Sequence, residues 1–279
     1  MSEKRRFYMI HKIVEISAPG YEETAQLYTY LQEPSPDLLN SKKRPVIVVC
    51  PGGGYEFTSD REAEPIALRY LAMGYHAVVL RYSVWPAQYP VALLQLANAV
   101  KYLKDNAEEL HIDRSKIILT GFSAGGHLAC SFGVFWNKPF IQEALGVLDG
   151  YLRPAGMILN YPVITSGEKA HEGSFRHLLG DRYDAMKEEM SLETQVTEDT
   201  PPTFLWHTTI DDLVPVENSL LFYQALLAKN IPAELHIYSV GAHGLSLANA
   251  DTQGGDGFGI QPECESWIDL AENWLKQFR

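Results

Sequence analysis

Short apolar segments alternate with longer amphipathic segments along most of this chain, and this alternation constrains the fold more than any other feature. The apolar segments are continuous, which is typical of parallel strands buried on both faces of a sheet. We predict strands at residues 45–50, 76–83, 116–121, 156–161, 203–207 and 234–240. We predict helices at residues 61–73, 91–110, 124–135, 217–229 and 262–278. This order indicates an α/β fold with a mostly parallel, doubly wound sheet and helices on both faces.

Two parts of the chain depart from this alternation. Residues 12–16 and 25–31 favour antiparallel edge strands that precede the parallel ones. The connection over residues 162–200 is too long for a simple crossover. Long insertions at the carboxyl edge of a parallel sheet often cover a ligand site, so we expect a small lid, with a surface insertion of no function as the alternative. No linker rich in Pro, Gly or Ser interrupts the chain, and we expect residues 1–279 to form one domain.

Composition and charge exclude several classes of partner. The 279 residues carry a formal net charge of −12, whereas a nucleic-acid binder needs a cationic surface, so we expect no nucleic-acid partner. No apolar run approaches the roughly 18 residues that span a bilayer, and we expect no membrane partner. The basic residues among the first ten are not followed by the apolar segment of a signal peptide. The cysteines are too few and too far apart for a disulfide framework or a zinc site, which favours a cytoplasmic location; they are Cys50, Cys130 and Cys264.

The segment Gly121-Phe122-Ser123-Ala124-Gly125 lies between a predicted strand and a predicted helix. The pattern G-x-S-x-G alone is weak evidence for a nucleophile because chance supplies it often. Its position between a strand and a helix strengthens this evidence. A strand that turns directly into a helix brings backbone segments close together, and glycine at positions 121 and 125 avoids side-chain clashes. The Ser123 hydroxyl would then project above the sheet edge, near the free N–H groups of the helix N-terminus. We therefore predict that Ser123 is a nucleophile.

A serine nucleophile needs a base and a carboxylate that orients the base, and in a strand–elbow–helix fold the acid precedes the histidine in the chain. Asp211 and Asp212 lie in the loop after the strand at residues 203–207. Loop geometry favours Asp211, whereas Asp212 can instead cap the turn or helix near Pro215. Among nine histidines, His243 follows the last predicted strand and is flanked by residues of a glycine-containing loop. That position favours a base over a solvent-exposed loop histidine.

A second glycine-rich segment, Pro51-Gly52-Gly53-Gly54-Tyr55, follows the strand at residues 45–50. Successive glycines allow backbone N–H groups to approach a ligand closely. A phosphate-binding loop is the alternative, but it requires G-x-x-x-x-G-K-[S/T] or G-x-G-x-x-G, and this segment contains neither. We predict that the N–H groups of Gly53, Gly54 and Ala124 form an oxyanion hole.

These motifs resemble those of α/β-hydrolases of the esterase/lipase group, and within it the acetyl-xylan-esterase-like intracellular esterases. The resemblance spans about residues 45–250 and rests on residues 51–55, 61–65, 121–126, 207–219 and 241–247. In that family the acid stands four residues before the proline of a Val-Pro pair, which selects Asp211. The resemblance thus implies Ser123 as nucleophile, His243 as base and Asp211 as the residue that orients the base. Two departures are Pro51, where hormone-sensitive-lipase-like relatives have histidine, and the bulky pair Thr209-Ile210.

The resemblance also implies an activity. We expect a serine esterase that needs no cofactor or metal and acts on a small-molecule ester, with a homo-oligomer left open. A short acyl group follows from the resemblance only: deacetylation of small acetylated saccharides is the first expectation, and a general short-chain carboxylesterase is the alternative. Tyr55, Tyr82 and Trp85 can stack on a sugar ring or serve in packing. A peptidase is less expected without a large additional domain, and a non-catalytic binding protein would lack a triad residue.

Overall fold

Nine strands form one sheet in the computed structural model, which describes residues 9–37 and 43–279. In chain order the strands are β1 (Met9–Ile10), β2 (Ile13–Ser17), β3 (Thr24–Gln32), β4 (Arg44–Cys50), β5 (His76–Arg81), β6 (Ile112–Phe122), β7 (Gly156–Asn160), β8 (Thr203–Thr208) and β9 (Ala233–Tyr238). The α-helices are α1 (Glu64–Ala72), α2 (Val91–Asp105), α3 (Ser123–Phe135), α4 (Pro139–Leu145), α5 (Glu172–Leu179), α6 (Tyr183–Met186), α7 (Glu217–Ala228) and α8 (Trp267–Leu275). Within these ranges, no helix combines the length and apolar character that a membrane crossing requires.

The sheet order is β1-β3-β5-β4-β6-β7-β8-β9, with β2 also paired to β3. All pairs from β5 through β9 are parallel, whereas β1, β2 and β3 pair antiparallel. Alternate residues of β4 enter two separate apolar cores, one on each face of the sheet: Val46 and Val48 enter one, Ile47 and Val49 the other. The predicted α/β fold class, with a mostly parallel sheet covered on both faces, is confirmed by this strand order and by the two cores.

The N-terminal strands differ in one respect from the prediction. Residues 12–16 and 25–31 do form antiparallel strands, but β3 is not an edge strand, because it pairs with β2 on one side and β5 on the other. Its side chains enter the cores on both faces of the sheet, with Leu27 in one core and Tyr30 in the other. The first eight residues, on which the expectation about a signal peptide rests, lie outside the described residues.

Helix ends are the least well predicted features. The helix predicted at residues 91–110 ends as α2 at Asp105, and the backbone N–H and side chain of Asn106 both donate to the Tyr102 carbonyl at this end. The helix predicted at residues 262–278 begins as α8 only at Trp267, after a turn. The pattern at residues 139–145 was too short to predict as α4.

The segment at residues 162–200 carries α5 and α6 and packs against α3. The ring of Phe175 lies 5.2 Å from that of His127 in an edge-on arrangement. The carbonyl oxygen of Met190 lies 3.0 Å from Nε2 of the same histidine, and the Tyr55 hydroxyl lies 3.0 Å from its Nδ1. The buried contacts make this segment part of the packed structure. Its role as a lid stays a prediction, as does the single domain.

Burial of His127 gives a testable dependence of stability on pH. The residue is 1% exposed, and burial lowers its pKa from 6.5 to about 4. The unfolded chain takes up a proton near pH 6.5 that the folded protein binds only near pH 4, so stability is lost as the pH falls through this window. We expect this histidine to lower the free energy of unfolding by about 2 kcal/mol between pH 7 and pH 5, measured by urea denaturation.

The variant His127→Gln is the control, because glutamine can keep polar contacts and has no ionisation in this range. Its unfolding free energy should change less between the two pH values, with a remainder from His76, whose pKa burial also lowers to about 4. An unchanged pH dependence in His127→Gln would contradict the assignment.

Candidate active site

A strained backbone turn presents Ser123 at the junction of β6 and α3. Phe122 is extended, and Ser123 has φ of +53°, a left-handed conformation that side chains rarely adopt. A Cβ at position 121 would lie 2.2 Å from the Gly125 carbonyl oxygen. A Cβ at position 125 would lie 2.2 Å from the carbonyl oxygens of both Cys50 and Pro51. Only glycine fits at either position, which is the physical basis of the G-x-S-x-G pattern.

A continuous hydrogen-bond chain joins Ser123, His243 and Asp211. The His243 Nε2 atom lies 2.8 Å from Ser123 Oγ, and its Nδ1 atom lies 2.7 Å from Asp211 Oδ2. Asp211 follows β8, and His243 follows β9, so both side chains come from the carboxyl edge of the sheet at which Ser123 lies. The arrangement allows the imidazole to accept the serine proton while its other nitrogen donates to the carboxylate.

The surroundings of Asp211 keep it ionised. Its Oδ1 atom accepts hydrogen bonds from the N–H groups of Leu213 and Val214, at 3.0 and 2.8 Å, and His207 Nε2 lies 3.2 Å from Oδ2. Burial favours the neutral form of this carboxyl group. The hydrogen bonds from His207 and His243, with that from Val214, outweigh burial and hold the pKa of Asp211 well below its usual range.

The neighbouring Asp212 has a different contact. Its Oδ1 atom accepts a hydrogen bond from the backbone N–H of His243 at 3.4 Å and does not bond the imidazole. Asp211 therefore contacts the ring of His243, and Asp212 contacts the loop that carries it.

The glycine loop packs directly over the serine. A Cβ at Gly52 would lie 3.0 Å from Ser123 Cβ, so the loop can approach the serine only because this residue has no side chain. Within the described part of the chain, the backbone N–H groups of Gly53 and Gly54 donate to no protein acceptor. The N–H of Ala124 belongs to the first turn of α3, where the helix supplies no acceptor. These three N–H groups are the ones that the sequence predicts for an oxyanion hole.

One cavity of about 450 Å³ contains Gly53, Gly54, Ser123 and His243 in its wall. The segment at residues 162–200 adds His171 and His177 to the same wall. His171 Nδ1 lies 2.8 Å from Ser174 Oγ, and burial lowers the pKa of His171. His177 Nδ1 lies 2.9 Å from the Gly54 carbonyl oxygen, so the insertion is tied to the glycine loop.

Sequence reasoning missed several residues around this cavity. His171, His177 and His207 had no distinguishing spacing, and each is recognised only because the fold brings it near the glycine loop or Asp211. Glu62 and Tyr161 were missed for the same reason, since 99 residues separate the partners of their hydrogen bond. No local pattern in the sequence marks contacts of this kind.

Two of the three proposed sugar-stacking aromatic residues are buried in packing. Tyr55 and Tyr82 are each 3% exposed and contact each other edge-on. Their hydroxyls contact His127 and the Pro51 carbonyl, so neither ring is available to a sugar. Trp85 is 46% exposed and lies 6.3 Å from the His177 ring. Of the three, only Trp85 can offer a ring face to a ligand.

Residues 36–226 match the family model BD-FAE, which is more than half of the chain. The sequence is 38% identical to endo-1,4-beta-xylanase B of Butyrivibrio fibrisolvens over 82% of this chain and 36% of that protein. It is 27% identical to the acetylxylan esterase of Xylanibacter ruminicola over 82% of this chain and 45% of that protein. The chain thus spans less than half the length of these two curated relatives.

A solved structure agrees over nearly the full length. The acetyl ester-xyloside bifunctional hydrolase from Caldicellulosiruptor lactoaceticus has 36% sequence identity and a TM-score of 0.77, covering 95% of this chain and 96% of that one. The resemblance to acetyl-xylan-esterase-like α/β-hydrolases is confirmed. The family match, the parallel sheet and the elbow together show that this chain belongs to the BD-FAE family of α/β-hydrolase esterases.

Proposed function

We propose that the protein is a serine carboxylic-ester hydrolase that uses Ser123 as nucleophile, His243 as base and Asp211 as the residue that orients the base. The observation that carries the proposal is the hydrogen-bond chain through these three side chains, at 2.8 and 2.7 Å, beside N–H groups of the glycine loop that have no acceptor among the described residues. Curated esterases among the relatives of the chain support the reaction class.

The reaction proceeds in two steps. His243 accepts the hydroxyl proton of Ser123 as Oγ attacks the ester carbonyl, and the oxyanion receives hydrogen bonds from Gly53, Gly54 and Ala124. The imidazolium returns the proton to the leaving alcohol, which leaves an acyl-enzyme. Water then attacks the acyl group with His243 again as base, and the acid leaves as Ser123 is reprotonated. Asp211 stabilises the imidazolium formed in each step.

For the substrate we infer a short acyl ester, with small acetylated saccharides first and general short-chain esters second. The names of two relatives refer to acetyl esters or acetylxylan, and a cavity of about 450 Å³ suits a small ester. The exposed ring of Trp85 near the cavity supports a saccharide. Xylan-backbone cleavage is no part of the proposal, because the chain matches only 36% of the xylanase. A cytoplasmic location and a homo-oligomer stay predictions.

Replacement of the nucleophile tests the reaction class. In Ser123→Ala we expect hydrolysis of p-nitrophenyl acetate to fall by at least about 10³-fold, because no other group can form the acyl-enzyme. The thermal unfolding midpoint should stay close to that of the parent. A fluorophosphonate probe should label the parent at Ser123, as read by mass spectrometry. Substantial turnover by Ser123→Ala, or no labelling of the parent, would contradict the proposal and favour a non-catalytic binding protein.

The two aspartates provide a matched pair of variants. Asp211→Asn should lower kcat by about 10³- to 10⁴-fold, because the amide cannot stabilise the imidazolium and can hold the wrong tautomer. Asp212→Asn keeps an oxygen acceptor for the His243 N–H and should lower kcat by less than about tenfold. Steady-state kinetics on one ester measure both changes in kcat. A larger fall in Asp212→Asn than in Asp211→Asn would identify Asp212 as the residue that orients the base.

A substrate panel separates the two substrate classes. We expect kcat/KM to fall as the acyl chain of p-nitrophenyl esters lengthens from acetate to octanoate, and acetylated xylo-oligosaccharides to release acetate at rates comparable with the best of these esters. Release from the saccharides that is orders of magnitude slower would favour the general carboxylesterase.

A further inference from the structure

A buried acid lies beneath the glycine loop and outside the proposed triad. Glu62 is 5% exposed, and within the described ranges it forms no ion pair with Lys, Arg or His. Its Oε2 atom accepts a hydrogen bond from the Gly52 N–H at 2.9 Å, and its Oε1 atom accepts one from the Tyr161 hydroxyl at 2.6 Å. Burial of a carboxyl group without a cation is costly, so its two donors must offset that cost.

Tyr161 extends this contact to the loop that carries the base. Its hydroxyl accepts a hydrogen bond from the Ser246 N–H at 2.9 Å while it donates to Glu62. Its ring lies edge-on to the His243 imidazole, with centroids 5.1 Å apart. Burial, and then the adjacent Glu62, raise the pKa of Tyr161 well above its ordinary value, so the hydroxyl stays a donor.

The backbone of Tyr161 is itself strained. Its φ is +36°, in the left-handed region that residues with a side chain rarely adopt. The Tyr161 N–H bonds the Trp206 carbonyl at 2.8 Å, which holds the residue in this conformation. The strain directs the side chain between Glu62 and the His243 loop.

A second set of contacts joins the same segments. The Ser246 hydroxyl donates to the Arg61 carbonyl at 2.6 Å, and the Arg61 guanidinium donates to the Gly244 carbonyl at 2.9 Å. Residues 61 and 62 therefore hold the backbone on both sides of Leu245, directly after His243. The glycine loop meets Glu62 through Gly52, directly before Gly53.

We propose that Glu62 is a positioning residue that sets the oxyanion donors and the base relative to one another, acting through Gly52 on one loop and through Tyr161 on the other. The proposal rests on the proposed function of Ser123, Asp211 and His243. Glu62 lines the cavity, but within the described part of the chain its hydrogen bonds go to Gly52 and Tyr161 and not to Ser123, His243 or Asp211. Its effect is on geometry: a displacement of about 1 Å at a reacting group can cost about 10²-fold in rate.

The variant Glu62→Gln tests the proposal with little change in volume. The Gly52 N–H and the Tyr161 hydroxyl bond different oxygens of Glu62, so an amide, whose nitrogen replaces one of these oxygens, can keep only one of the two acceptors in place. We expect kcat to fall about 10- to 100-fold with KM within about threefold, because the loss is in transition-state geometry. The inhibition constant for phenylboronic acid, which forms a tetrahedral adduct on a serine, should rise by a similar factor. Rates are normalised to the active sites titrated with a fluorophosphonate.

Three further variants complete the design. Tyr161→Phe removes the second link and should lower kcat about tenfold, and it tests the proposal alone where Glu62→Gln does not fold. The kcat of the double variant should lie within about twofold of the kcat of the less active single variant, because both substitutions break the same network.

Glu64→Gln is the matched control: this carboxyl group also accepts from a tyrosine hydroxyl, that of Tyr30 at 3.3 Å, outside the active site. Its kcat should match the parent.

The outcomes separate the two proposals. An unlabelled parent, or an active Ser123→Ala, overturns the proposed function. With Ser123 labelled, the role of Glu62 is overturned where kcat per titrated site in Glu62→Gln stays within about twofold of the parent. It is also overturned where kcat falls as much in Glu64→Gln as in Glu62→Gln. The same holds where the fall in kcat of the double variant equals the product of the two single falls.

Discussion

The close approach of the elbow to the end of β4 is the contact on which the rest of the site depends. Gly125 lies so close to the carbonyl groups of Cys50 and Pro51 that a single Cβ would sit 2.2 Å from both. This contact brings the loop after β4 over the first turn of α3, and Gly52 then packs against Ser123. A side chain at position 125 would separate the two segments and with them the N–H groups of Gly53 and Ala124. The positions of the serine and of its proposed oxyanion donors thus both depend on the absence of a side chain at position 125.

Electrostatics impose a second condition, at Asp211. Its side chain is only 1% exposed, and a buried charge is tolerated only where donors surround it. Backbone N–H groups and two histidines supply those donors, so the carboxylate stays ionised and its orientation is determined. The side chain of His243 is 10% exposed, so the base lies between this buried charge and the cavity. The imidazole thus contacts the buried carboxylate through one nitrogen and the Ser123 hydroxyl through the other, as a proton acceptor for Ser123 requires.

The sequence predicted the parts of this molecule that follow from local spacing. Continuous apolar runs identified the parallel strands, and the glycines at positions 121 and 125 identified the elbow, because each is a pattern of neighbouring residues in the sequence, although the contact that requires Gly125 is with Cys50 and Pro51. The interior position of β3 was not predictable, since the pattern of its side chains does not show which strands pair with its two edges. The apolar pattern also did not mark the helix end at Asp105, and it left Tyr55 and Tyr82 open between sugar stacking and packing until the fold showed both buried. His207 was read only as a strand residue, and its bond to Asp211 appears only in three dimensions.

Glu62 shows why such residues escape local patterns. Its partners lie 10 and 99 residues away along the chain, and glutamate in a short amphipathic segment is ordinarily a solvated residue. The elbow places Gly52 against Ser123, and the strained backbone of Tyr161 directs its hydroxyl toward the same point. A carboxyl group there has two acceptor oxygens for two donors that belong to different loops. An amide has one acceptor, and an apolar side chain has none and would leave both buried donors unsatisfied. The residue type at position 62 therefore follows from the meeting of the glycine loop with the His243 loop.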